Sequence, residues 1–410
     1  MGKVAVPKVA VGGHDRGRIA GYGKASLWLA GLLMVGLSGI STAGSSKTIE
    51  EEKKAIDPLG PPPPALAPFF RPPSDVKLIP EKYRSPLLFD DGSPVRTSAD
   101  WLRRREQIRR YWWKLLGDPP ALLDHPQIEY LQQQDKGSYK QFHLRLETAP
   151  GRLTDDAYLL VPKGQGVYPA VIVVFYDAKT GIGEGKRPHR DYARLLVQRG
   201  FVALSLGSPP ETYYPNAEQC RLQPLAFHAY EAANACRALQ RMKQVDARRI
   251  GIVGHSYGGK WAMFAACLYD DFAAAAWSDP GIVFDERRPN VNYWERWYLG
   301  FEPGRPKQRP QGVPSEKNPR TGPYKQLIAD QRDLHELHAL MAPRPFLVSG
   351  GAEDPPERWS ALVHSVAVNQ LLGLTHRVAM THRSTHDPTA EANELLAQFF
   401  EWALQAKNRK

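Results

Sequence analysis

The chain has few cysteines and lacks the closely spaced sets that bind zinc or carry redox chemistry. Its 410 residues include three cysteines, Cys220, Cys236 and Cys267, and no two of them form a Cys-x-x-Cys pair. His335 and His338 do not have the His-Glu-x-x-His spacing that places two imidazoles on one face of a helix. The sequence therefore predicts no metal site and no organic cofactor, and it leaves open whether two of the cysteines form a disulfide.

The chain also lacks a phosphate-binding loop and a concentrated basic patch. Gly181, Gly183 and Gly185 lie close together, but no Gly-Lys-Ser/Thr sequence follows them. The formal net charge is +11, yet the basic residues are dispersed except for the arginines within 103–110. Those arginines share a predicted helix with an opposite apolar face, so we interpret them as a solvated surface. Nucleic acid is not expected as a partner.

The first 43 residues carry the features of an export signal in the required order. A basic lead precedes an apolar, uncharged stretch over 25–40, and Ser41-Thr42-Ala43 matches a small-x-small cleavage site. The apolar stretch is near the lower length limit for a membrane span, so a cleaved signal peptide and an uncleaved anchor both fit. We expect an exported protein, periplasmic or extracellular, with membrane attachment through residues 25–43 where the segment is retained.

The remaining sequence divides into a proline-rich part and a globular part. Residues 44–95 are rich in charge and then in proline, which predicts an extended spacer. Over 96–405, three predicted antiparallel strands precede an alternation of strands and helices, which indicates an α/β fold: a mostly parallel sheet with helices on both faces. Residues 281–330 interrupt the alternation. We expect them to form a lid-like insertion over the carboxyl edge of the sheet, where ligands bind in such folds.

The most informative segment is Gly254-His255-Ser256-Tyr257-Gly258-Gly259, between an apolar run and a helical run. Gly-x-Ser-x-Gly at a strand-to-helix turn is the nucleophile elbow. The tight turn needs small residues on both sides of the serine and raises its hydroxyl above the sheet edge. The amide of Tyr257 then lies at a helix N-terminus, where it can bind an oxyanion. The sequence therefore predicts Ser256 as a nucleophile.

With this elbow, the chain resembles the α/β-hydrolase superfamily of serine esterases and peptidases over about residues 96–405. The resemblance implies an α/β-hydrolase fold and a catalytic triad in the chain order serine, acid, histidine. His386 directly precedes Asp387-Pro388 and the last predicted helix, where the superfamily carries its base. His382, two residues after the last predicted strand, is the second candidate for the base.

Three carboxylates are candidates for the acid that orients the histidine. Asp354 and Glu353 lie in a Gly-rich turn that resembles the acid loop of dienelactone-hydrolase-like and acetylxylan-esterase-like proteins. Asp279 ends an earlier strand, where some α/β-hydrolases place the acid. We predict Asp354 and retain Glu353 and Asp279 as further candidates. The second oxyanion donor is expected among the backbone amides near Tyr176 and Asp177.

Possible substrate contacts come from a second resemblance. Lys260 stands four residues after the serine, which is similar to the Gly-Cys-Ser-Arg-x-Gly-Lys elbow of glucuronoyl esterases, whose lysine binds sugar hydroxyls. The chain departs from that motif at His255 and Tyr257, where the family has Cys and Arg. In the insertion, Trp294 and Trp297 are expected either to stack on a sugar ring or to cover the core.

The leading functional prediction is an exported serine carboxylesterase. It would cleave acetyl or uronoyl esters of a small-molecule or polysaccharide substrate through an acyl-enzyme. The sequence Gly-x-Ser-Tyr-Gly-Gly also resembles the prolyl-oligopeptidase elbow, so a serine peptidase is a second hypothesis. Only about 50 residues separate the spacer from the central sheet, too few for the β-propeller that those peptidases usually carry. A non-catalytic binding protein on a hydrolase scaffold is the third hypothesis, and the oligomeric state stays open.

Overall fold

The computed structural model describes residues 59–208, 222–305 and 307–404. The export segment at 1–43, residues 44–58 of the predicted spacer, and Cys220 lie outside these ranges. Within them, no helix is both long enough and apolar enough to span a bilayer.

A nine-stranded sheet organises the described part of the chain. Its strands are β1 (Ile128–Asp135), β2 (Tyr139–Ala149), β3 (Arg152–Pro162), β4 (Tyr168–Phe175), β5 (Val202–Gly207), β6 (Val245–His255), β7 (Ala274–Ser278), β8 (Phe346–Gly350) and β9 (Val378–His382). They lie in the order β1-β2-β3-β5-β4-β6-β7-β8-β9. The first three strands are antiparallel to their neighbours, and β4 to β9 run parallel to one another.

Helices cover both faces of this sheet. The α-helices of the described ranges are α1 (Ser98–Leu116), α2 (Ala178–Gly181), α3 (Tyr192–Gln198), α4 (Pro224–Gln240), α5 (Tyr257–Leu268), α6 (Gly322–Ala329), α7 (Leu334–Ala339), α8 (Trp359–Leu371) and α9 (Ala390–Ala403). Buried side chains of α1 and α4 to α8 belong to one hydrophobic core, whereas those of α3 and α9 belong to a second. The predicted layered architecture is confirmed.

The continuous apolar sequence of β4 follows from this layering. Ala170, Ile172 and Val174 point into the larger core, and Val171 and Val173 point into the smaller one. A strand that is buried on both faces has no polar side to present. The apolar run therefore places β4 in the middle of the sheet, next to the elbow strand β6.

The predicted spacer is not extended over its described part. Between residues 59 and 95 the chain packs on the domain, and the side chain of Leu66 is fully buried in the smaller core. Gly60 accepts a hydrogen bond from Nε1 of Trp402 at 2.9 Å, and the amide of Ile79 donates to Oγ of Ser360 at 3.0 Å. Proline disfavours sheet ladders because it has no backbone N–H, but it does not prevent apolar side chains from packing.

The parallel strands bring the candidate residues to one edge. Sheet register pairs His255 of β6 with Ser278 of β7, Ser278 with Ser349 of β8, and Gly350 with His382 of β9. Residues that directly follow these strands therefore meet at the carboxyl edge of the sheet, where open α/β sheets bind ligands.

Candidate active site

Ser256 occupies a strained turn between β6 and α5. Its φ of 54° lies in the left-handed region that non-glycine residues rarely adopt. A Cβ atom at Gly254 would lie 2.1 Å from the carbonyl oxygen of Gly258, and one at Gly258 would lie 2.0 Å from that of Val174. Only glycine fits both positions, which explains the spacing of the motif physically.

A hydrogen-bonded chain links a serine, a histidine and an aspartate. Nε2 of His386 lies 2.9 Å from Oγ of Ser256, and Nδ1 of His386 lies 2.7 Å from Oδ2 of Asp279. Since a carboxylate only accepts, the Nδ1–H donates to Asp279 and leaves Nε2 to accept from the serine. The side chain of Asp279 is fully buried, whereas that of His386 is 26% exposed. This is the arrangement in which an imidazole can take the proton of a serine hydroxyl.

The expected contact between Asp354 and His386 is not made, and the prediction is corrected to Asp279. The carboxylate of Asp354 instead accepts hydrogen bonds from the amides of Gly281 at 2.9 Å and Ile282 at 2.6 Å. The main-chain amide of Asp354 donates to Oδ1 of Asp279 at 2.8 Å. The turn after β8 therefore presents its backbone to the acid and directs the side chain of Asp354 away from the histidine.

Burial governs the ionisation of Asp354. Loss of solvent, and secondarily the negative charge of Asp279, raise the pKa of Asp354 to about 7. The two amide donors and Arg358 favour the charged form, but they do not outweigh burial. At neutral pH the carboxyl group of Asp354 is therefore partly protonated, and it lies beside Asp279, which contacts the histidine.

The side chains of Glu353 and His382 are not joined to the hydrogen-bonded chain. Glu353 accepts a hydrogen bond from Nδ2 of Asn290 at 2.9 Å, and only its amide, at 3.1 Å, contacts Asp279. His382 is exposed at the end of β9. Of the two histidines, His386 is the one brought to Ser256.

The Gly-rich turn has a different use from the one expected. A Cβ atom at Gly351 would lie 2.7 Å from Oδ2 of Asp279 and 2.4 Å from the carbonyl oxygen of Thr385. The missing side chain allows the acid and the histidine loop to approach each other across the end of β8. The glycine that favoured Asp354 in the sequence therefore makes room for Asp279.

The expected oxyanion donors lie beside the elbow. Tyr257 is the first residue of α5, so its amide lies at a helix N-terminus. Register pairs Val174 of β4 with Gly254 of β6, which places Tyr176 alongside Ser256, and the rings of Tyr176 and Tyr257 are 4.6 Å apart. Asp177 caps α2, where its carboxylate accepts from the amide of Thr180 at 2.8 Å.

Lys260 lies beneath the insertion rather than in an open cleft. Its Nζ donates to the carbonyl oxygens of Pro280 at 2.7 Å and Asn290 at 3.2 Å, and it lies 5.0 Å from the ring centre of Tyr293. Burial lowers the pKa of Lys260 to about 8, although the nearby carboxylates oppose this shift. These contacts tie the insertion to α5 and leave the ammonium turned away from solvent.

The two tryptophans of the insertion have different environments. Trp294 is 1% exposed, and its Nε1 donates to Oε1 of Glu295 at 3.1 Å. It therefore covers the core, and a sugar ring cannot stack on it without rearrangement. Trp297 is only half-buried, beside Tyr298, and it remains the tryptophan available to a ligand.

Two residues at the site were not predicted from the sequence. His255 is buried, its ring lies 4.8 Å from that of His386, and its Nδ1 donates to the carbonyl oxygen of Ser278 at 3.1 Å. Burial, followed by the positive charge of neighbouring groups, lowers the pKa of His255 well below its usual value. The second residue, Arg383, lies under the histidine loop. His255 could have been noticed as part of the elbow, but no sequence pattern marks Arg383.

Among the described residues, no group of three or more His, Cys, Asp or Glu side chains is placed to hold a metal ion. Cys236 and Cys267 are buried free thiols, and burial raises the pKa of both. Neither is placed as a nucleophile, because the thiolate is the reactive form.

Comparison with known proteins identifies the fold. Residues 228–409 match the model of the prolyl oligopeptidase family, and no curated protein matches the chain in sequence. A glucuronoyl esterase from Solibacter usitatus superposes with a TM-score of 0.60 at 17% identity, covering 81% of this chain and 100% of that one. A CE15 glucuronoyl esterase from Teredinibacter turnerae T7901 superposes with a TM-score of 0.57 at 19% identity, covering 79% of this chain and 89% of that one. A third glucuronoyl esterase, from Caldicellulosiruptor kristjansonii, superposes with a TM-score of 0.53 at 19% identity, covering 82% of this chain and 92% of that one. The chain has an α/β-hydrolase fold.

Proposed function

We propose that this protein is a serine hydrolase that cleaves carboxylic esters of carbohydrates through an acyl-enzyme. The observation that carries the proposal is the hydrogen-bonded chain from Ser256 through His386 to Asp279 at a nucleophile elbow. A serine hydroxyl needs a base within hydrogen-bond reach, and that base needs a group that fixes its tautomer. Both requirements are met by these three side chains.

The proposed reaction proceeds in two halves. In the first, His386 takes the proton of Ser256 while Oγ attacks the ester carbonyl, and the amides of Tyr257 and Tyr176 bind the oxyanion. His386 then protonates the departing alcohol, which leaves an acyl group on Ser256. In the second half, His386 activates a water molecule that releases the acid and restores the serine.

Asp279 supports the charged histidine during both halves. Its carboxylate stabilises the imidazolium that forms when His386 holds the proton. The amides of Glu353 and Asp354 donate to this carboxylate, and charge-assisted bonds of this kind fix its orientation. The backbone of the turn after β8 therefore serves the acid, while the side chains of that turn do not.

The proposed substrate class is supported by the neighbours in fold. Three of the structures that superpose on most of the chain are described as glucuronoyl esterases. Their low identity leaves the substrate as a proposal. A serine peptidase is the second candidate, favoured by the family model that matches residues 228–409. Against it, the described residues between 59 and the first strand form α1 and two short 3-10 turns (Ala67–Phe70 and Pro80–Lys82) rather than propeller blades.

Export belongs to the same proposal. Polysaccharide esters lie outside the cytoplasm, and the basic lead, apolar run and Ser41-Thr42-Ala43 sequence support secretion or anchoring. N-terminal sequencing of the protein from its host should begin near Gly44 if the signal is cleaved, and recovery of intact chain from the soluble cytoplasm would contradict export.

The test is a substrate panel measured with wild type and Ser256→Ala. The panel holds p-nitrophenyl acetate, acetylated xylan, a glucuronate methyl ester and a peptide anilide. We expect wild type to cleave esters faster than the anilide, and Ser256→Ala to lose about 10⁶-fold in turnover with an unchanged circular dichroism spectrum. Ser384→Ala, at an exposed serine of the histidine loop, is the matched control and should retain activity.

Each candidate function predicts a different result from the panel. Preferred cleavage of the anilide would support the peptidase. No cleavage of any substrate by wild type, together with no labelling of Ser256 by a fluorophosphonate, would support a non-catalytic protein. Near wild-type turnover in Ser256→Ala would exclude Ser256 as the nucleophile.

A further inference from the structure

A buried cation lies under the loop that carries His386. Arg383 directly follows β9 and is 8% exposed. Its guanidinium forms no ion pair with a carboxylate anywhere in the described ranges. An arginine that is buried without a carboxylate needs other hydrogen-bond acceptors, because removing its charge from water is costly.

The guanidinium directs its donors to the backbone and hydroxyl oxygens of the active-site edge. Nε donates to the carbonyl oxygen of Asp387 at 2.8 Å, and Nη2 donates to that of His386 at 2.7 Å. Nη1 donates to the carbonyl oxygens of Ser349 at 2.8 Å and Gly350 at 3.1 Å. The Oγ atoms of Ser278 and Ser349, each at 3.1 Å, complete the set. The five N–H groups of the arginine are therefore all placed against acceptors.

These acceptors lie next to both His386 and Asp279, the two residues that are joined by a hydrogen bond. The carbonyl oxygen of His386 belongs to the base itself. Ser278 directly precedes Asp279, and the carbonyl oxygen of Ser349 also accepts from the amide of Asp279 at 3.1 Å. One planar group thus connects the histidine loop to the ends of β7 and β8, the two strands between which the acid is held.

We propose that Arg383 is a positioning residue that holds His386 at hydrogen-bonding distance from both Ser256 and Asp279. The proposal rests on the proposed function. The loop needs such an anchor, because Ser384 and Thr385 are exposed and contribute little packing. A displacement of a catalytic group by about 1 Å can lower a rate about 10²-fold. Arg383 touches neither the reacting atoms nor a substrate, so it acts through His386.

The test replaces the planar guanidinium of Arg383 with side chains that cannot bond to the histidine loop, to the end of β7 and to the end of β8 at the same time. Arg383→Met keeps the length of the side chain and removes every donor, and we expect kcat for p-nitrophenyl acetate to fall about 10²-fold while KM stays within about twofold. Arg383→Lys retains the charge and three donors but lacks the planar fork. We expect it to recover part of the loss.

Arg344→Met is the matched control. Arg344 likewise donates to backbone carbonyl oxygens, those of Tyr269, Phe272 and Leu340, and it also forms an ion pair with Asp270 at 3.1 Å. Unlike Arg383, it lies before β8 at the opposite edge of the sheet. We expect Arg344→Met to lower the melting temperature without lowering kcat. Equal loss of kcat in both methionine variants would show that Arg383 acts only through general stability and would overturn the proposal.

The outcome for wild type separates this proposal from the proposed function. If wild type is not labelled by a fluorophosphonate and cleaves no ester, the serine hydrolase itself has failed. If wild type is active and Arg383→Met keeps its kcat, the hydrolase stands and the positioning role is wrong. If Arg383→Met does not fold, Arg383→Lys decides, since a folded lysine variant with wild-type kcat would also overturn the proposal.

Discussion

The loop after β7 and the loop after β8 are chemically alike, yet only one reaches the histidine. Each carries a fully buried aspartate, Asp279 or Asp354. Each aspartate accepts hydrogen bonds from backbone amides of the other loop. The difference is that Asp279 contacts Nδ1 of His386 at 2.7 Å.

Burial and hydrogen bonding therefore do not distinguish the two aspartates, whereas the contact with His386 does. Asp279 directly follows β7 and lies level with the elbow, because register pairs Ser278 with His255. Asp354 follows Gly350, the last residue of β8, only after a turn of three residues, 351–353. That turn reverses the side chain towards Gly281 and Ile282. The role of each aspartate is decided by where its strand ends.

The largest expected effect comes from removing His386, which contacts Asp279 but not Asp354. His386→Ala should lower turnover about 10⁶-fold, because loss of the base leaves Ser256 without a proton acceptor. His382→Ala, at the exposed end of β9, should stay within a few-fold of wild type. Steady-state kinetics with p-nitrophenyl acetate would measure both. A larger loss in His382→Ala would show that the base has been assigned to the wrong histidine.

A smaller effect should separate the two aspartates directly. Asp279→Asn keeps the size of the side chain but cannot stabilise the imidazolium, so turnover should fall about 10⁴-fold. Asp354→Asn should lower turnover less than about tenfold, because the Asp354 carboxylate contacts the amides of Gly281 and Ile282 and lies 3.9 Å from Nε of Arg358, but does not contact His386. The ratio of the turnover numbers of the two variants measures how much more the reaction depends on Asp279 than on Asp354. A ratio near one, or a reversed ratio, would contradict the assignment of Asp279.

The smallest expected effect concerns stability and pH. The pKa of Asp354, about 7 in the folded protein, lies above the usual value of about 3.9 for an unfolded chain. Between these pH values the folded state binds more protons. The contribution of Asp354 to the free energy of unfolding is therefore full below about pH 4 and is lost as pH rises through about 7.

Asparagine does not titrate, so the melting-temperature advantage of wild type over Asp354→Asn should shrink between pH 5 and pH 8. Thermal unfolding at both pH values would measure it. Asp75→Asn, at an exposed aspartate, should stay close to wild type at both. An advantage that grows with pH would show that Asp354 is held in its charged form.

Much of the site could be predicted because strong local constraints act on the elbow. A Cβ atom at Gly254 would collide with the backbone of Gly258 in the same turn, and one at Gly258 would collide with Val174 of the neighbouring strand β4. Because both collisions arise at one tight turn, the two glycines keep a short and recognisable spacing in the sequence. His386 could also be predicted from the sequence, because its loop directly precedes the start of the last helix. The apolar run of β4 indicated the centre of the sheet for the same reason, since burial on both faces excludes polar residues.

The partners of these residues were decided only by tertiary structure. Asp279 and Asp354 are 75 residues apart in the chain but are joined by a hydrogen bond, and their sequence contexts are equally suited to a turn. Arg383 also contacts Ser278 and Ser349, which lie 105 and 34 residues away, and Lys260 contacts Pro280 and Asn290. These contacts leave no periodic pattern in the sequence. The steric limits of a tight turn thus fixed the elbow around Ser256 in the sequence, whereas the contact of Asp279 rather than Asp354 with His386, and the contacts of Arg383, depend on where separate loops meet in space.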